Sequence, residues 1–390
     1  MHHIVSCLLL IPLLTQLHTC DDISPSSPAP NIIFILVDDV GWADFNYTTP
    51  HQTTAIPTPN IDRLARAGLI LTNHYVHPTC TPSRAALMTG RYSANTGLTF
   101  AMYPGSVAGL DPDMVTMPQV LRQAGYQAHM VGKWHLGHSQ PKQGPVGRGF
   151  QSHIGSYMWD LESYTKLMWH LPWTEPFGAD WVRTFDNGTS HHFAEPRHST
   201  IALTDEAVSV MKQHHGDHRD SPLFLYLSYN AAHSPLQPEP SWTSSCLHIP
   251  HLWRRQYCAM VVGLDEAINS VTENARQLLG EDTIIVVSSD NGGSVFFGGL
   301  NQPLRSGKHT SFEGGVRVPA FAVDLSADNK YLGRPGRKYD GLVHISDWMP
   351  TFLGLSNKTT LVKNENLDGM DLSQALRKGK KVVVYQLQAK

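Results

Sequence analysis

Cysteine is scarce in this chain, with five in 390 residues, and neither sign of charge dominates. Lys and Arg number 30 against 33 Asp and Glu, a formal charge of −3, and the basic residues form no stripe. That balance offers no electrostatic footing for a nucleic acid. Long apolar runs are also missing. The stretch Ile4 to Leu14 is too short to span a bilayer, and no later segment reaches the length of a membrane helix, so the mature chain reads as soluble, not membrane-spanning. No segment repeats, which sets aside solenoids and propellers. What remains is an ordinary globular composition, 41% hydrophobic and 16% charged, long enough for one large core or two domains.

The few cysteines become informative by position. Residues 1–20 read as a secretory signal, an apolar stretch and then a polar region ending near Cys20, although the first residues carry His rather than Lys or Arg. Residues 21–30, rich in Ser and Pro, read as a flexible lead-in. Removing the signal takes Cys7, and a cut near Cys20 takes that residue too. In an oxidising compartment Cys246 and Cys258 are then candidate disulfide partners, and Cys80 is left over. Sequons at Asn46, Asn187 and Asn357 are compatible with N-glycans in the same compartment.

Along the chain, strand and helix signals alternate. Asn31 to Val37, Leu223 to Tyr229 and Thr283 to Val287 are continuous apolar runs, as expected of strands covered on both faces. Asn60 to Ala67 reads as a helix capped by Asn60 and stopped by Gly68; Met117 to Ala124 stops at Gly125. Thr204 to Gln213 and Met260 to Leu279 carry apolar residues at helical spacing. The alternation predicts an α/β fold with a large, mostly parallel or mixed sheet flanked by helices. In such sheets ligands collect beyond the carboxyl ends of the strands. Asp38 and Asp39 close the first strand, and Asp290 and Asn291 follow the strand at Thr283 to Val287.

Two aspartates about 4 Å apart repel by roughly 4 kcal/mol at an effective dielectric near 20, so gathering three carboxylates calls for a cation. All-oxygen donors suit Ca²⁺ or Mg²⁺ better than zinc. Taken singly, each pair also fits a solvated loop. Gly132-Lys133-Trp134-His135-Leu136-Gly137 follows a strand signal at Gln127 to Val131; in an extended segment Lys133 and His135 would point the same way. His233 and Lys308 lie on loops where a structural histidine and a surface lysine are the plain alternatives. Cys80-Thr81-Pro82-Ser83-Arg84 also fits a turn around a buried thiol. If it is helical, Cys80 and Arg84 share a face, and Pro82 is tolerated in the first turn. A helix N-terminus there favours negative charge.

Taken together, these motifs resemble the type I sulfatases. The run from Cys80 to Arg84, followed by Leu87-Met88-Thr89-Gly90-Arg91, is similar to that family's signature, and the resemblance extends from about Asn31 to Leu376. It implies an alkaline-phosphatase-like sandwich and oxidation of Cys80 to formylglycine by the formylglycine-generating enzyme, which explains the unpaired cysteine. It implies one Ca²⁺ on Asp38, Asp39, Asp290, Asn291 and the oxidised Cys80 side chain. It further implies that Arg84 and Lys133 hold the aldehyde hydrate, that one hydroxyl attacks sulfur while His233 and Lys308 assist the leaving alcohol, and that His135 then takes the proton that expels sulfate.

Ala128 to Gly137 and Pro222 to Leu227 resemble the arylsulfatase B branch, the N-acetylgalactosamine-4-sulfatases, so glycosaminoglycan or aryl sulfates are the expected substrates and the secretory pathway (lysosomal or secreted) the expected location. Trp159, Trp169, Trp173 and Trp181 either stack on a sugar or aryl ring or pack a loop. Asp368 to Leu372 is similar to the family's link into a C-terminal subdomain, and residues 377–390 form an unfamiliar tail in its place. The catalytic domain is therefore expected over 31–376. Two alternatives stand beside the enzyme: a phosphatase or phosphodiesterase of the same architecture, which would use a di-zinc site, and a non-catalytic secreted protein that binds sulfated glycans.

Overall fold

The strand β1 (Asn31–Val37) feeds two cores at once. Ile32, Phe34 and Leu36 enter the apolar cluster on one face of the sheet, and Ile33, Ile35 and Val37 enter the cluster on the other. That is why the run is apolar without alternation. The computed structural model describes residues 29–49, 55–159, 161–169 and 176–382. The signal region, most of the lead-in, Trp173 and the last eight residues of the tail lie outside them.

The main sheet has ten strands, which in chain order are β1, β2 (Leu69–Leu71), β3 (Gln127–Gly132), β4 (Ser152–Gly155), β5 (Val182–Phe185), β6 (Ser190–His192), β7 (Leu223–Ser228), β8 (Thr283–Ser289), β9 (Ala320–Asp324) and β10 (Arg337–Tyr339). Their spatial order is β10-β2-β9-β8-β1-β7-β3-β4-β5-β6. The five central strands, β8-β1-β7-β3-β4, are parallel, and antiparallel pairings begin at β9 and β5 on either side.

Helices cover both faces. On one lie α1 (Pro59–Ala67), α4 (Ser199–Asp217) and α5 (Leu252–Leu278), which contribute Leu64, Met211, Leu264 and Ile268 to the core. On the other lie α2 (Cys80–Thr89), α3 (Met117–Gln123), α6 (Trp348–Leu355) and α7 (Ser373–Lys378), with Leu87, Leu121, Phe352 and Leu376 buried. No helix among the described residues is long and apolar enough to cross a membrane.

Some helix ends differ from expectation. α1 begins after Thr58 with Pro59 in its first turn, and Asn60 is inside the helix, its amide donating to Asp265 at 2.8 Å rather than capping. α4 starts five residues early because the His198 imidazole accepts from Thr200 N–H, a cap outside the usual Ser/Thr/Asp/Asn set. α5 gains eight residues at its start, where buried Tyr257 and Cys258 extend the apolar face. Cys258 is disulfide-bonded to Cys246, the pair read from the sequence. Of the sequons, Asn187 and Asn357 are exposed, whereas the Asn46 amide donates to Asp62 at 2.8 Å.

Candidate active site

Strand register builds the site. Val37 of β1 pairs with Ser289 of β8, Leu36 with Ser228 of β7, and Ser228 in turn with Gly132 of β3. The residues just past these rungs therefore emerge side by side: Asp38 and Asp39, Asp290 and Asn291, Lys133 and His135, and, after a short loop, His233. All seven are buried, as are Cys80 and Arg84. Gly132 is required here. Its φ is +108°, and a Cβ would lie 1.8 Å from the Ser228 carbonyl oxygen.

The signature run forms α2, with Thr79 extended at its N-cap and Cys80 as first helical residue. Pro82 falls in the first turn and Gly90 closes the helix at φ +65°. One turn places Arg84 beneath the carboxylates. Its Nε and Nη2 donate to Asp290 Oδ2 at 3.1 and 2.7 Å, and Nη1 donates to the Lys133 carbonyl at 3.0 Å and to Ser228 Oγ. Arg84 Nη2 also lies 3.4 Å from Asp38 Oδ2, which accepts from Lys133 Nζ. Lys308 Nζ bridges both oxygens of Asp39 at 2.6 and 2.8 Å. Asn291 Nδ2 donates to Asp39 Oδ1 at 2.7 Å, and His233 Nε2 is 3.8 Å from Asp39 Oδ2.

Burial alone would raise the Asp38 carboxyl, but Lys133, His233, Arg84 and Lys308 together hold it below the ordinary range. Burial would lower Lys308, and Asp39 reverses that, so the ammonium persists. The Cys80 thiol is pushed up by burial. Asp38, Asp39 and His233 present ligand atoms within 4.8 Å of one another. Asp38 Oδ1 and Asn291 Oδ1 are buried without a hydrogen-bond partner among the described residues. Two orphaned oxygens among converging carboxylates fit a hard cation.

Two imidazoles have defined tautomers. His233 Nδ1 lies 2.7 Å from the Ser234 carbonyl, and His135 Nε2 lies 2.9 Å from the Met102 carbonyl. A carbonyl only accepts, so each of those nitrogens carries the proton and the other keeps its lone pair. His135 Nδ1 has no hydrogen-bond partner among the described residues. The strand-alternation argument for Lys133 and His135 does not apply: β3 ends at Gly132, and His135 sits at φ +58°. Lys133 turns to Asp38 and His135 to Met102.

Cys80, Asp39, His233 and Lys308 open on a cavity of about 250 Å³. Its outer wall is aromatic, with Phe100, Tyr103, Trp159 and Phe297, and His309 stacks on Phe100 at 6.4 Å. Trp159 is thus a pocket residue. Trp181 packs inside, 1% exposed, under the Lys166 ammonium; Trp173 and the side chain of Trp169 lie outside the described residues. Sequence reasoning missed Phe100, Tyr103, Phe297 and His309, whose loops carry no periodicity. It also missed Ser228, indistinguishable from any strand-end serine, and the Asp44–Arg254 pair that braces the turn after Asp39.

At the carboxyl edge of the parallel strands, carboxylates, two lysines, an arginine and two histidines thus gather around a helix-borne cysteine. The chain belongs to the sulfatase family, whose profile matches residues 30–358. It is 37% identical to arylsulfatase J of Mus musculus over 90% of this chain and 56% of that protein. It is 32% identical to N-acetylgalactosamine-6-sulfatase of Homo sapiens over 90% of this chain and 66% of that one. The chain thus spans between about half and two thirds of these relatives' length. Among solved structures, Ps i-CgsB superposes with a TM-score of 0.79 at 31% identity, covering 90% of this chain and 77% of that one. The fold is the alkaline-phosphatase-like sandwich of the sulfatases.

Proposed function

We propose that this chain hydrolyses sulfate esters in the cavity at Cys80. The observation that carries the reading is the placement of Cys80 at the first position of α2, opening on the same cavity as Asp39, Lys308 and His233. Asp38, Asp39, Asp290 and Asn291, with the oxidised Cys80 side chain, would hold a Ca²⁺ ion; the two orphaned oxygens support that assignment. When bound, the ion supplies positive charge against the sulfate. Formylglycine at Cys80 supplies the oxygen nucleophile that a thiol lacks.

The remaining work falls to the chain's own groups. Arg84, pinned by four hydrogen bonds and wholly buried, is a fixed positive charge behind the nucleophile. Lys133 is locked on Asp38 in the same wall. Lys308, kept cationic by Asp39, faces the cavity where negative charge develops on the leaving oxygen. His233 has its Nε2 open beside Asp39; burial favours the neutral ring, so Nε2 would take up a proton before passing it to the leaving alcohol. His135, neutral through burial, offers Nδ1 as the base that withdraws the remaining hydroxyl proton.

The aromatic wall of Phe100, Tyr103 and Trp159 suits an aryl group or one sugar ring. With relatives named arylsulfatase and N-acetylgalactosamine-6-sulfatase, glycosaminoglycan sulfates, among them N-acetylgalactosamine-4-sulfate, are the proposed natural class. The Cys246–Cys258 disulfide supports a secretory, lysosomal or extracellular location. The test is expression in a secretory eukaryotic host, mass spectrometry of the tryptic peptide 67–84, and assay with 4-nitrocatechol sulfate and sulfated disaccharides. Aldehyde at Cys80 with turnover is the expected result; full conversion with no turnover on any sulfate would refute it.

A further inference from the structure

Thr81 occupies the second position of the signature run, next to Cys80, and is wholly buried. Among the described residues its hydroxyl makes two hydrogen bonds, neither within its own helix. It donates to the His135 carbonyl at 3.2 Å and accepts the Met102 N–H at 3.1 Å. The Met102 carbonyl in turn accepts from His135 Nε2 at 2.9 Å and from Trp159 Nε1 at 2.8 Å. Met102 therefore has both backbone groups committed, its carbonyl lone pairs shared between a candidate base and a pocket-wall tryptophan. The ring from Thr81 through Met102 to His135 and back is closed. Met102 also lies between Ala101 and Tyr103, which line the cavity.

This closed ring has a chemical consequence. A neutral imidazole carries its proton on one nitrogen only, and the Met102 carbonyl selects Nε2. The Nδ1 lone pair is thereby kept free. If the 102 carbonyl turns away, the opposite tautomer becomes accessible and the base is lost, although fold and pocket remain. Resting on the sulfatase reading above, we propose that Thr81 and Trp159 are positioning residues. They aim the Met102 carbonyl so that His135 stays in its Nε2-protonated tautomer, ready to accept a proton at Nδ1. Neither residue touches the reacting atoms in this role. They act through a backbone carbonyl on the segment that also forms the substrate wall.

The test uses the full secreted chain and 4-nitrocatechol sulfate, with rates expressed per aldehyde-bearing Cys80, counted by mass spectrometry of peptide 67–84. That normalisation separates positioning from any effect on Cys80 conversion. Thr81→Val keeps the shape and orphans the Met102 N–H, so kcat is expected to fall about 10-fold or more, with KM within about twofold. Thr81→Ser restores the hydroxyl and should recover most of the rate. Trp159→Phe keeps a ring in the wall and removes the indole donor, and should lower kcat about threefold. A merely structural role would lower melting temperature without this kcat-selective, serine-rescued pattern.

Wild-type kcat in Thr81→Val, or no recovery in Thr81→Ser, would overturn the proposal. Should Thr81→Val fail to fold, an unchanged kcat in Trp159→Phe would overturn it instead. A fully converted wild type with no activity would overturn the sulfatase reading and this inference together, whereas an active wild type beside an unaffected Thr81→Val refutes only the latter.

Discussion

Replacing Arg84 with Met would remove a guanidinium that no solvent reaches and leave the carboxylates it serves in place. Asp290 Oδ2 loses both of its donors from Arg84, at 3.1 and 2.7 Å, while Asp38 keeps Lys133. The loss therefore concentrates at Asp290, whose carboxyl is already raised to about 6 by burial and by neighbouring Asp38. Breaking a buried ion pair by removing one partner costs about 3–5 kcal/mol, because the other charge remains without compensation. At an unfolding entropy of roughly 2 cal/mol/K per residue, that corresponds to a melting temperature about 5 °C lower for a chain of this size. The measurement is thermal unfolding followed by circular dichroism, in EGTA and again in millimolar Ca²⁺. In EGTA the full shift is expected. With Ca²⁺ the deficit should narrow, since a cation among Asp38, Asp39, Asp290 and Asn291 neutralises the same carboxylates and stabilises by mass action. Arg84→Lys, which retains charge but not the four-way geometry, should fall between. Equal melting of wild type and Arg84→Met in EGTA would refute the electrostatic account. A deficit unchanged by Ca²⁺ would refute the shared cation.

Two further outcomes follow from the fold. The Cys246–Cys258 bond closes a loop with a sequence separation of 12; replacing both with Ala should cost about 3 kcal/mol by chain entropy, read as a lower denaturant midpoint. The second concerns acid. Burial holds His74 down to about 3, from an ordinary 6.5, and Trp348 donates to its Nε2 at 3.0 Å. His129, His153 and His198 are held to about 4, burial again being the main cause. Below pH 6.5 the unfolded chain takes up these protons before the folded one does, so stability is complete above 6.5 and declines as pH falls toward 4. Asp290 and Asp347, raised to about 6 mainly by burial, and the raised Asp44, Asp180 and Asp265 work in the opposite sense. The lowered histidines, which also include His77, His233 and His344, outnumber them. Melting temperatures at pH 7, 5.5 and 4.5 should decrease in that order; a flat or rising series would contradict the assignment.

Much of the candidate catalytic set is legible in the sequence because chemistry and chain order coincide. Asp38 and Asp39 follow directly on an unbroken apolar run, and Asp290 and Asn291 follow a second run after Ser288 and Ser289; a strand end fixes where the next residues emerge. At Cys80 to Arg84 the sequence leaves turn and helix open, since a proline is tolerated in either, and the structure forms the helix. Where local pattern is silent, the sequence says less. His198 caps α4 by a contact no propensity reports. Strand alternation gives Lys133 and His135 a common direction, and it fails because the strand ends one residue earlier and His135 adopts a left-handed backbone.

The amino-acid sequence alone determined the α/β class and the residues that gather at the sheet's carboxyl edge, and it offered Cys246 with Cys258 as a candidate pair. These depend on period, polarity and covalent valence, all of which are local. Only the tertiary structure decided which nitrogen of each histidine carries its proton, which carboxylate each cation serves, and which aromatic rings wall the cavity. Those facts rest on pairs such as Thr81 with Met102, Arg84 with Asp290, or Phe100 with His309, brought together by folding. Hydrogen bonds and ion pairs act over a few ångströms, and separation along the chain does not say which groups will come that close.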